Sequence, residues 1–175
     1  MKLSEVKAGK KFSIGTREYI KLSGDDKQTI CIAKDCVFDS TYGSNNNFAE
    51  SKILKRLNEE ILPEIEAAVG QENILEFETD LTSLDGLKTY GTMTNKISIP
   101  TFDMYRNNVA VFDEYKIDDW WWLATPDSTP EHTNGNWCVC VSPSGIINCN
   151  FSYYNFNGVR PFLLFVSSIS VSCEE

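Results

Sequence analysis

The stretch from residue 120 to residue 162, "WWWLATPDSTPEHTNGNWCVCVSPSGIINCNFSYYNFNGVRPF", makes up about a quarter of the chain and contains all four of its tryptophans. The same stretch contains six asparagines. Large aromatic side chains favour a packed interior, whereas amides at this density are typical of loops or of surfaces that contact another molecule. The stretch is therefore either a core that includes some polar side chains or a scaffold that presents a surface for contact with another molecule.

Two runs within this stretch predict β-strands. In "NWCVCVSPSGIINCNF", β-prone residues flank a turn that contains Pro and Gly, which is typical of a β-hairpin. The run "GVRPFLLFVSSISVS" is apolar and β-branched, so it predicts a strand that is buried on both faces. Because strand side chains alternate, Trp120 and Trp122 should share one face and Trp121 the other, with at least one indole in the core and one near the surface.

The amino-terminal part of the chain also reads as β structure. The runs "KKFSIGTREYIKLSG" and "KQTICIAKDCVFDS" alternate β-branched or aromatic residues with polar ones, and the turn-forming "SGDD" separates them. Two or three antiparallel strands are predicted here. The Ser-, Gly- and Asn-rich segment "STYGSNNNFAES" that follows is predicted to be a loop.

From Ala49 the pattern becomes helical. Apolar residues recur at three- and four-residue steps, which predicts an amphipathic helix; they are Ile53, Leu54, Leu57 and Ile61. We expect Pro63 to interrupt this helix, because proline has no amide hydrogen and its ring clashes with the preceding turn. The segment "PEIEAAVG" then predicts a short second helix that ends at Gly70.

The middle of the chain combines short elements. Asp85-Gly86 predicts a turn, "KISIP" predicts a short strand, and Thr101 is predicted to cap a helix over "FDMYRNNVAVF". Strands at both ends with helices between them indicate an α+β fold. A chain of 175 residues fits a single domain spanning 1–175, which should bury roughly 70% of the surface that its unfolded form exposes.

The charge of the chain limits its partners. The formal net charge is −9 at pH 7, and affinity for nucleic acid rests largely on neutralising phosphates, so no nucleic-acid partner is predicted. No run approaches the roughly 20 apolar residues of a membrane helix, so no membrane insertion is predicted. The amino terminus lacks the apolar region of a signal peptide, which predicts a protein made in the cytoplasm. The oligomeric state is left open.

Conventional catalytic and metal-binding patterns are scarce. His132 is the only histidine, and its loop-like surroundings favour a solvated side chain over a catalytic base. Asp118, Asp119 and Asp127 are read as solvated surface rather than as a cation site. The chain has no Walker loop and no dinucleotide, zinc-protease or nucleophile-elbow motif. We therefore predict no catalytic residue, no metal and no cofactor.

The cysteines of the predicted hairpin leave two interpretations open. Cys138 and Cys140 lie two residues apart in a strand and should share a face, and Cys149 is predicted to lie opposite one of them. That arrangement would permit a cross-strand disulfide or a soft-metal site. The favoured interpretation is that they are reduced and act as small apolar residues of the core.

The segment "NCNFSYYNFN", residues 148–157, predicts a recognition surface. Tyr and Phe provide large contact areas at low entropic cost, and Asn and Ser provide adaptable hydrogen bonds, as in antibody loops. The alternative is an irregular loop whose amides satisfy its own backbone.

The order of "LKRLNEE", "WWWLATP", "VSPSG" and "NGVRPFLLF" resembles a family of bacterial and phage domains with W-L-R-S, V-x-V-x-x-x-G and G-V-R-P motifs. The resemblance spans about Lys52 to Phe165. It implies an α+β, C-type lectin-like single domain with mixed or antiparallel sheets and two main helices, similar to formylglycine-generating enzymes and to the variable proteins of diversity-generating retroelements. It also implies that Trp121, Trp122 and Leu123 anchor the core beside the strand of residues 159–164. Arg160 would then tie that strand down by charge-assisted hydrogen bonds.

The resemblance implies a non-enzymatic domain that binds a protein or glycan ligand on another cell or particle. In the variable proteins, adenines of asparagine codons are randomised, and this process cannot produce Trp, Lys, Glu, Gln or Met. None of these five residue types occurs between residues 138 and 159. The implied variable region is 134–157, on a domain associated with a virion or cell surface through a carrier. The predicted ligand-binding residues are Asn134, Asn136, Asn148, Asn150, Ser152, Tyr153, Tyr154, Asn155 and Asn157.

Two alternatives accompany this prediction. One is a fixed structural or decoration domain of a phage or cell-surface protein. The other is a copper-dependent oxidase of the formylglycine-generating type that uses Cys138, Cys140 and Cys149, although the cysteine spacing and flanking motif of those enzymes are not reproduced. The tripeptides of calcium-dependent lectins are also absent, so any glycan binding is expected to be independent of calcium.

Overall fold

The structure is a computed structural model that describes residues 1–154 and 157–173. The strands are β1 (Lys11–Ile14), β2 (Arg17–Gly24), β3 (Gln28–Ala33), β4 (Phe38–Asp39), β5 (Ile74–Leu75), β6 (Phe77–Asp80), β7 (Thr92–Asn95), β8 (Ile97–Ser98), β9 (Trp121–Pro126), β10 (Trp137–Val141), β11 (Ile147–Phe151), β12 (Gly158–Val159) and β13 (Phe162–Val166). The helices are α1 (Lys52–Arg56), α2 (Leu62–Val69), α3 (Phe102–Asn107) and α4 (Val109–Glu114), and a π-helical turn (Leu57–Ile61) joins α1 to α2.

The strands form two main sheets and a separate β6–β7 hairpin. The first sheet has the order β1-β2-β3-β13-β5, with β8 also paired to β13, and the second has the order β11-β10-β9-β12-β4. Apart from the parallel pair of β9 and β12, the pairings are antiparallel. The predicted α+β class with mixed, mostly antiparallel sheets in a single domain is confirmed.

Strand β9 lies between two hydrophobic cores. Trp122 and Ala124 belong to the first core, which includes the helix formed by α1, the π turn and α2, called the main helix below. Trp121 and Leu123 belong to the second core. This alternation buries all six residues of the strand. Trp120 precedes the strand and is 38% exposed, so it belongs to neither core and does not share a face with Trp122. The prediction of both buried and exposed indoles is confirmed.

Strand β13 lies between β3 on one side and β5 and β8 on the other. Leu163 and Phe165 contribute to the first core, and Phe162 contributes to the second. Burial on both faces is therefore confirmed for the start of the strand. Leu164 and Val166 are only half-buried.

Arg160 ties the start of β13 to the rest of the fold, as the resemblance implied. Its side chain is 1% exposed, and its Nε and Nη2 donate to the carbonyl oxygens of Ala33 at 2.8 Å and Tyr115 at 3.3 Å. The guanidinium also lies 5.3 Å from the ring centroid of Phe112 and 5.4 Å from that of Trp121. Burial lowers the pKa of Arg160 to about 10, and the carbonyls and ring faces offset part of the cost of burying the charge.

The predicted interruption at Pro63 is wrong. The helix continues from α1 through the π turn into α2, and the Leu62 amide donates to the carbonyl of Leu57, five residues earlier. A π turn is wider than an α turn, so it accommodates the proline ring and the missing amide donor without ending the helix. The predicted end is confirmed at Gly70, whose φ of 88° is a conformation that favours glycine.

The helix predicted over "FDMYRNNVAVF" is shorter than expected. Thr101 caps it as predicted, since its Oγ1 accepts from the Met104 amide at 3.2 Å. The helix breaks at Asn108, where φ is −125° and ψ is 25°, and this break separates α3 from α4. The fold thus has one main helix rather than the expected two. Among the helices that the structure describes, none is long and apolar enough to cross a membrane.

Gly158 occupies a position with no room for a side chain. A Cβ built there would lie 2.3 Å from Cys36 Sγ and 3.0 Å from Asp119 Oδ2. Because either Cys36 or the backbone of β12 would have to shift, we expect Gly158→Ala to lower the free energy of unfolding by about 2–3 kcal/mol in a chemical denaturation experiment.

The control is the double substitution Gly158→Ala with Cys36→Ala, which removes the sulfur nearest to the new methyl group. The double variant should recover part of the lost stability in a double-mutant cycle. A Gly158→Ala protein as stable as the wild type would show that β12 adapts without strain.

Candidate ligand-binding surface

The open end of the β10–β11 hairpin carries three stacked aromatic rings. Trp137 pairs with Phe151 across the hairpin, and their ring centroids are 3.9 Å apart. The ring of Tyr153 lies 5.1 Å from that of Phe151, at an interplanar angle of 11°. We call these three residues the aromatic stack. Tyr153 is 65% exposed and the other two are half-buried, so the stack holds one ring in place at the surface.

Main-chain bonds fix the turn that carries Tyr153. The Ser152 carbonyl accepts from the amides of Tyr42 at 2.8 Å and Gly43 at 3.1 Å, and the Ser152 amide donates to the carbonyl of Asn136 at 2.8 Å. The turn is therefore bound to the loop that precedes the main helix and to the loop that precedes β10. These contacts join segments that are distant in sequence and orient the exposed ring.

Asn46 is the polar centre of this region and is completely buried. Its Nδ2 donates to the carbonyls of Ser128 and Trp137, each at 2.8 Å, and its Oδ1 accepts from the Tyr90 hydroxyl at 2.7 Å. Its own amide donates to the carbonyl of Gly135 at 2.8 Å. Sequence reasoning assigned this residue to a loop and missed its role, because the partners lie far along the chain.

A second polar cluster anchors the loop between β9 and β10. Asp85 Oδ2 accepts from the Ser128 hydroxyl at 2.6 Å and lies 2.9 Å from His132 Nδ1, while Oδ1 accepts from the Ser83 hydroxyl. These bonds hold the pKa of Asp85 well below its usual value. His132 is exposed, as predicted, but its link to Asp85 was not foreseen. Because Ser128 donates to the carboxylate and not to the imidazole, the cluster lacks the order of a catalytic triad.

The predicted ligand-binding residues fall into three groups. Asn134, Asn148, Tyr153 and Tyr154 are exposed, and Asn136 and Asn150 are half-buried. Ser152 and Asn157 are each 1% exposed. Asn155 lies outside the described residues.

The predicted surface positions of Ser152 and Asn157 are wrong. Ser152 is buried because the turn it occupies is bound to the loop at Tyr42, and Asn157 is buried because its carbonyl accepts from the Ser40 amide at 3.1 Å. The side-chain polar atoms of both residues have no hydrogen-bond partner among the described residues. Both support the surface from below and do not contact solvent.

The two asparagines of β11 lie on the opposite face of the hairpin from the aromatic stack. Asn148 pairs with Cys140 and Asn150 pairs with Cys138, whereas Phe151 pairs with Trp137. Cross-strand partners share a face and successive residues alternate, so the two sets point in opposite directions. Strand β11 is an edge of its sheet, and a ligand would have to wrap around this edge to contact both faces.

The predicted placement of Cys149 opposite Cys138 or Cys140 is wrong. Cys149 pairs with Val139, and so it lies on the other face of the hairpin from both cysteines. All six cysteines are free, and burial raises the pKa of Cys140 to about 12 and that of Cys149 to about 11. Thiols bind metals and react as thiolates, so Cys140 and Cys149 are held in their less reactive thiol form, and both pack against the cores.

The acidic residues considered as a cation site differ in burial. Asp118 is exposed, whereas Asp119 and Asp127 are half-buried and burial raises the pKa of both. Within residues 1–154 and 157–173, no group of three or more His, Cys, Asp or Glu side chains is arranged to hold a metal ion.

Comparison of the chain with models of protein families, with curated proteins and with solved structures finds no match. What the surface binds is therefore inferred from its own residues.

We expect Asn46→Ala to destabilise the fold by about 2–3 kcal/mol, because the substitution leaves the Tyr90 hydroxyl and the carbonyls of Ser128 and Trp137 without their partner. Urea denaturation measures the loss. Asn134→Ala is the matched control, since Asn134 is exposed and should change stability by less than about 0.5 kcal/mol. Equal effects of the two substitutions would contradict the central role of Asn46.

Asp85→Asn should loosen the loop of residues 128–135, because an amide replaces one of the oxygens that accept hydrogen bonds. Hydrogen exchange of the backbone amides in this loop should become faster, with Asp118→Asn as the control. In the wild type, the pKa of Asp85 is lowered by folding, so its hydrogen bonds stabilise the folded state fully at pH values above the ordinary aspartate pKa of about 4. This stabilisation is lost as the pH falls through the lowered pKa of the folded state. Unchanged exchange in Asp85→Asn would show that Asn46 alone holds the loop.

Proposed function

We propose that this chain is a C-type lectin-like recognition domain that binds a protein or glycan ligand through the aromatic stack and the amides around it. Binding involves no covalent step and needs no cofactor. The observation that carries this proposal is the exposed ring of Tyr153, which stacks on Phe151 and sits on a turn fixed by main-chain bonds. A tyrosine ring whose outer face is exposed and takes no part in packing is suited to contact a partner.

The proposal has an energetic basis. A flexible aromatic side chain loses rotamer freedom when a ligand binds, whereas a ring that is already stacked loses less, so more of its buried area contributes to affinity. The two loops that support the turn are themselves held by Asn46 and Asp85. The ligand therefore meets a surface that is already ordered.

The burial of individual residues refines the proposed ligand-binding set. The residues available to a ligand are Asn134, Asn136, Asn148, Asn150, Tyr153 and Tyr154. Ser152 and Asn157 are assigned to support of the turn. If the gene is diversified as in the variable proteins of retroelements, variation should fall on the exposed positions and spare these two.

The DNA beside the gene separates a diversified binder from a fixed structural or decoration domain. A near-copy of the 3′ end that differs where the copy has adenine, together with a reverse-transcriptase reading frame, would support the diversified binder. Absence of both would favour the fixed domain of a phage or cell-surface protein.

Replacement of Tyr153 and Tyr154 by alanine should leave the free energy of unfolding within about 1 kcal/mol of the wild type, because both side chains are exposed. Ligands selected with the wild type on a glycan array and from a displayed peptide library should bind the variant at least about tenfold more weakly. Affinity is measured by titration calorimetry, and stability by thermal unfolding.

Ile146→Ala is the matched control. Ile146 is also 65% exposed, but it lies in the loop that closes the hairpin, at the far end from Tyr153. It should retain full affinity. A large drop in melting temperature for the tyrosine variant would place those side chains in the core, and equal affinity losses in both variants would place the binding site elsewhere.

A further inference from the structure

A cavity of about 370 Å³ opens beside the amino-terminal strand, away from the residues of the proposed ligand surface. Its wall includes the segment of residues 5–7, part of β1, Tyr115 and Cys173. The wall is held together by the bond from the Ser13 amide to the Ser172 carbonyl at 2.7 Å and by the bond from the Tyr115 hydroxyl to the Gly9 carbonyl at 3.1 Å. Its volume lies within the range of about 300–1,000 Å³ that is typical of small-molecule sites.

One part of the wall is apolar. Val6 and Phe12 belong to the first core and are 5% and 1% exposed, so the cavity reaches down to that core. Cys173 packs against the same core and is half-buried, as is Tyr115. An apolar body placed here would remove further apolar surface from water, which favours binding by about 25 cal/mol for each Å² buried.

The rest of the wall is charged, with three lysines and two glutamates: Lys7, Lys10, Lys11, Glu5 and Glu18. Both carboxylates already have partners. Glu18 accepts from Lys11 at 2.8 Å and from Lys34 at 2.5 Å, and these bonds lower its pKa. Glu5 accepts from the Lys2 amide at 2.8 Å.

The other two lysines are less well compensated. Lys10 lies 3.9 Å from Glu114, and the two side chains are 64% and 54% exposed, so this ion pair is weak. Among the described residues, no carboxylate lies within ion-pair distance of Lys7. Among the described residues, the wall thus has more ammonium groups than carboxylates, although the net charge of the chain is −9.

We propose that the cavity binds a small amphipathic carboxylate, whose charge lies beside Lys7 and Lys10 and whose apolar body lies against Tyr115 and Cys173. A monoanion fits better than a polyphosphate, because Glu5 and Glu18 in the same wall would repel a higher negative charge. The site does not depend on the proposed function of the hairpin surface.

The first experiment is an NMR titration of the full chain with 4-phenylbutyrate and with 4-phenylbutanamide, its neutral counterpart. The carboxylate should cause saturable shifts at the backbone amides of residues 5–13 and bind at least about tenfold more tightly than the amide, a difference of about 1.4 kcal/mol. Equal affinities, or shifts confined to another part of the chain, would overturn the proposal.

Charge-removing variants test the lysines. Lys7→Gln with Lys10→Gln should lower the affinity for 4-phenylbutyrate about tenfold and leave that for the amide unchanged. Lys52→Gln with Lys55→Gln removes the same charge from the exposed side of α1 and should have little effect. An equal loss in both variants would mean that only the net charge of the protein matters, which would overturn the proposed role of the two lysines.

Two further measurements locate the ligand. Bound 4-phenylbutyrate should slow the alkylation of Cys173 by N-ethylmaleimide severalfold, as measured by mass spectrometry of the peptide that contains it. Ser13→Phe places a ring in the wall of the cavity and should abolish binding while the amide spectrum stays folded. Unchanged binding by a folded Ser13→Phe protein, or unprotected Cys173 at saturation, would show that the ligand lies elsewhere.

Discussion

The burial of β9 between two hydrophobic cores is the constraint on which the rest of the structure depends. A strand with both faces buried must satisfy every polar group that it carries, and the Trp122 indole does so by donating from Nε1 to the Ser40 carbonyl at 2.8 Å. The Tyr42 hydroxyl donates to the Leu123 carbonyl at 3.1 Å. These two bonds fix residues 40–42 against β9, and the Tyr42 amide then holds the Ser152 turn. The orientation of the exposed aromatic ring is thus set by the central strand.

The departure of "WLATP" from the W-L-R-S pattern has a local physical explanation. Ala124 stands where the pattern has arginine, and it is completely buried in the first core, which leaves no place for a charged side chain. Thr125 stands where the pattern has serine, and its Oγ1 accepts from the amide of Phe102 at 2.8 Å, at the start of α3. Arg160 is a buried cation of this fold, and its guanidinium contacts backbone carbonyls and aromatic faces.

Sequence reasoning succeeded where local pattern decides the structure. The β10–β11 hairpin, the Thr101 cap and the end of the main helix at Gly70 follow from alternation, capping and turn chemistry. It failed where tertiary context decides: the π turn before Pro63 depends on how the whole helix packs, and the burial of Ser152 depends on the distant Tyr42 loop. Composition indicated that amides and tyrosines would be exposed in residues 148–157, but it could not indicate which of them the turn would bury.

The bonds that hold the Ser152 turn in place run through main-chain atoms. The Ser152 carbonyl accepts from two backbone amides and the Ser152 amide donates to a backbone carbonyl, and every residue type except proline provides both groups. The conformation of the turn therefore does not depend on which side chains occupy its exposed positions. Tyr153 and Tyr154 can change in size and polarity while the backbone beneath them stays fixed, whereas the buried side chains around them cannot. A surface whose exposed side chains can change while its backbone and buried side chains stay fixed can accept many sequences without loss of the fold. A diversified recognition domain requires this property.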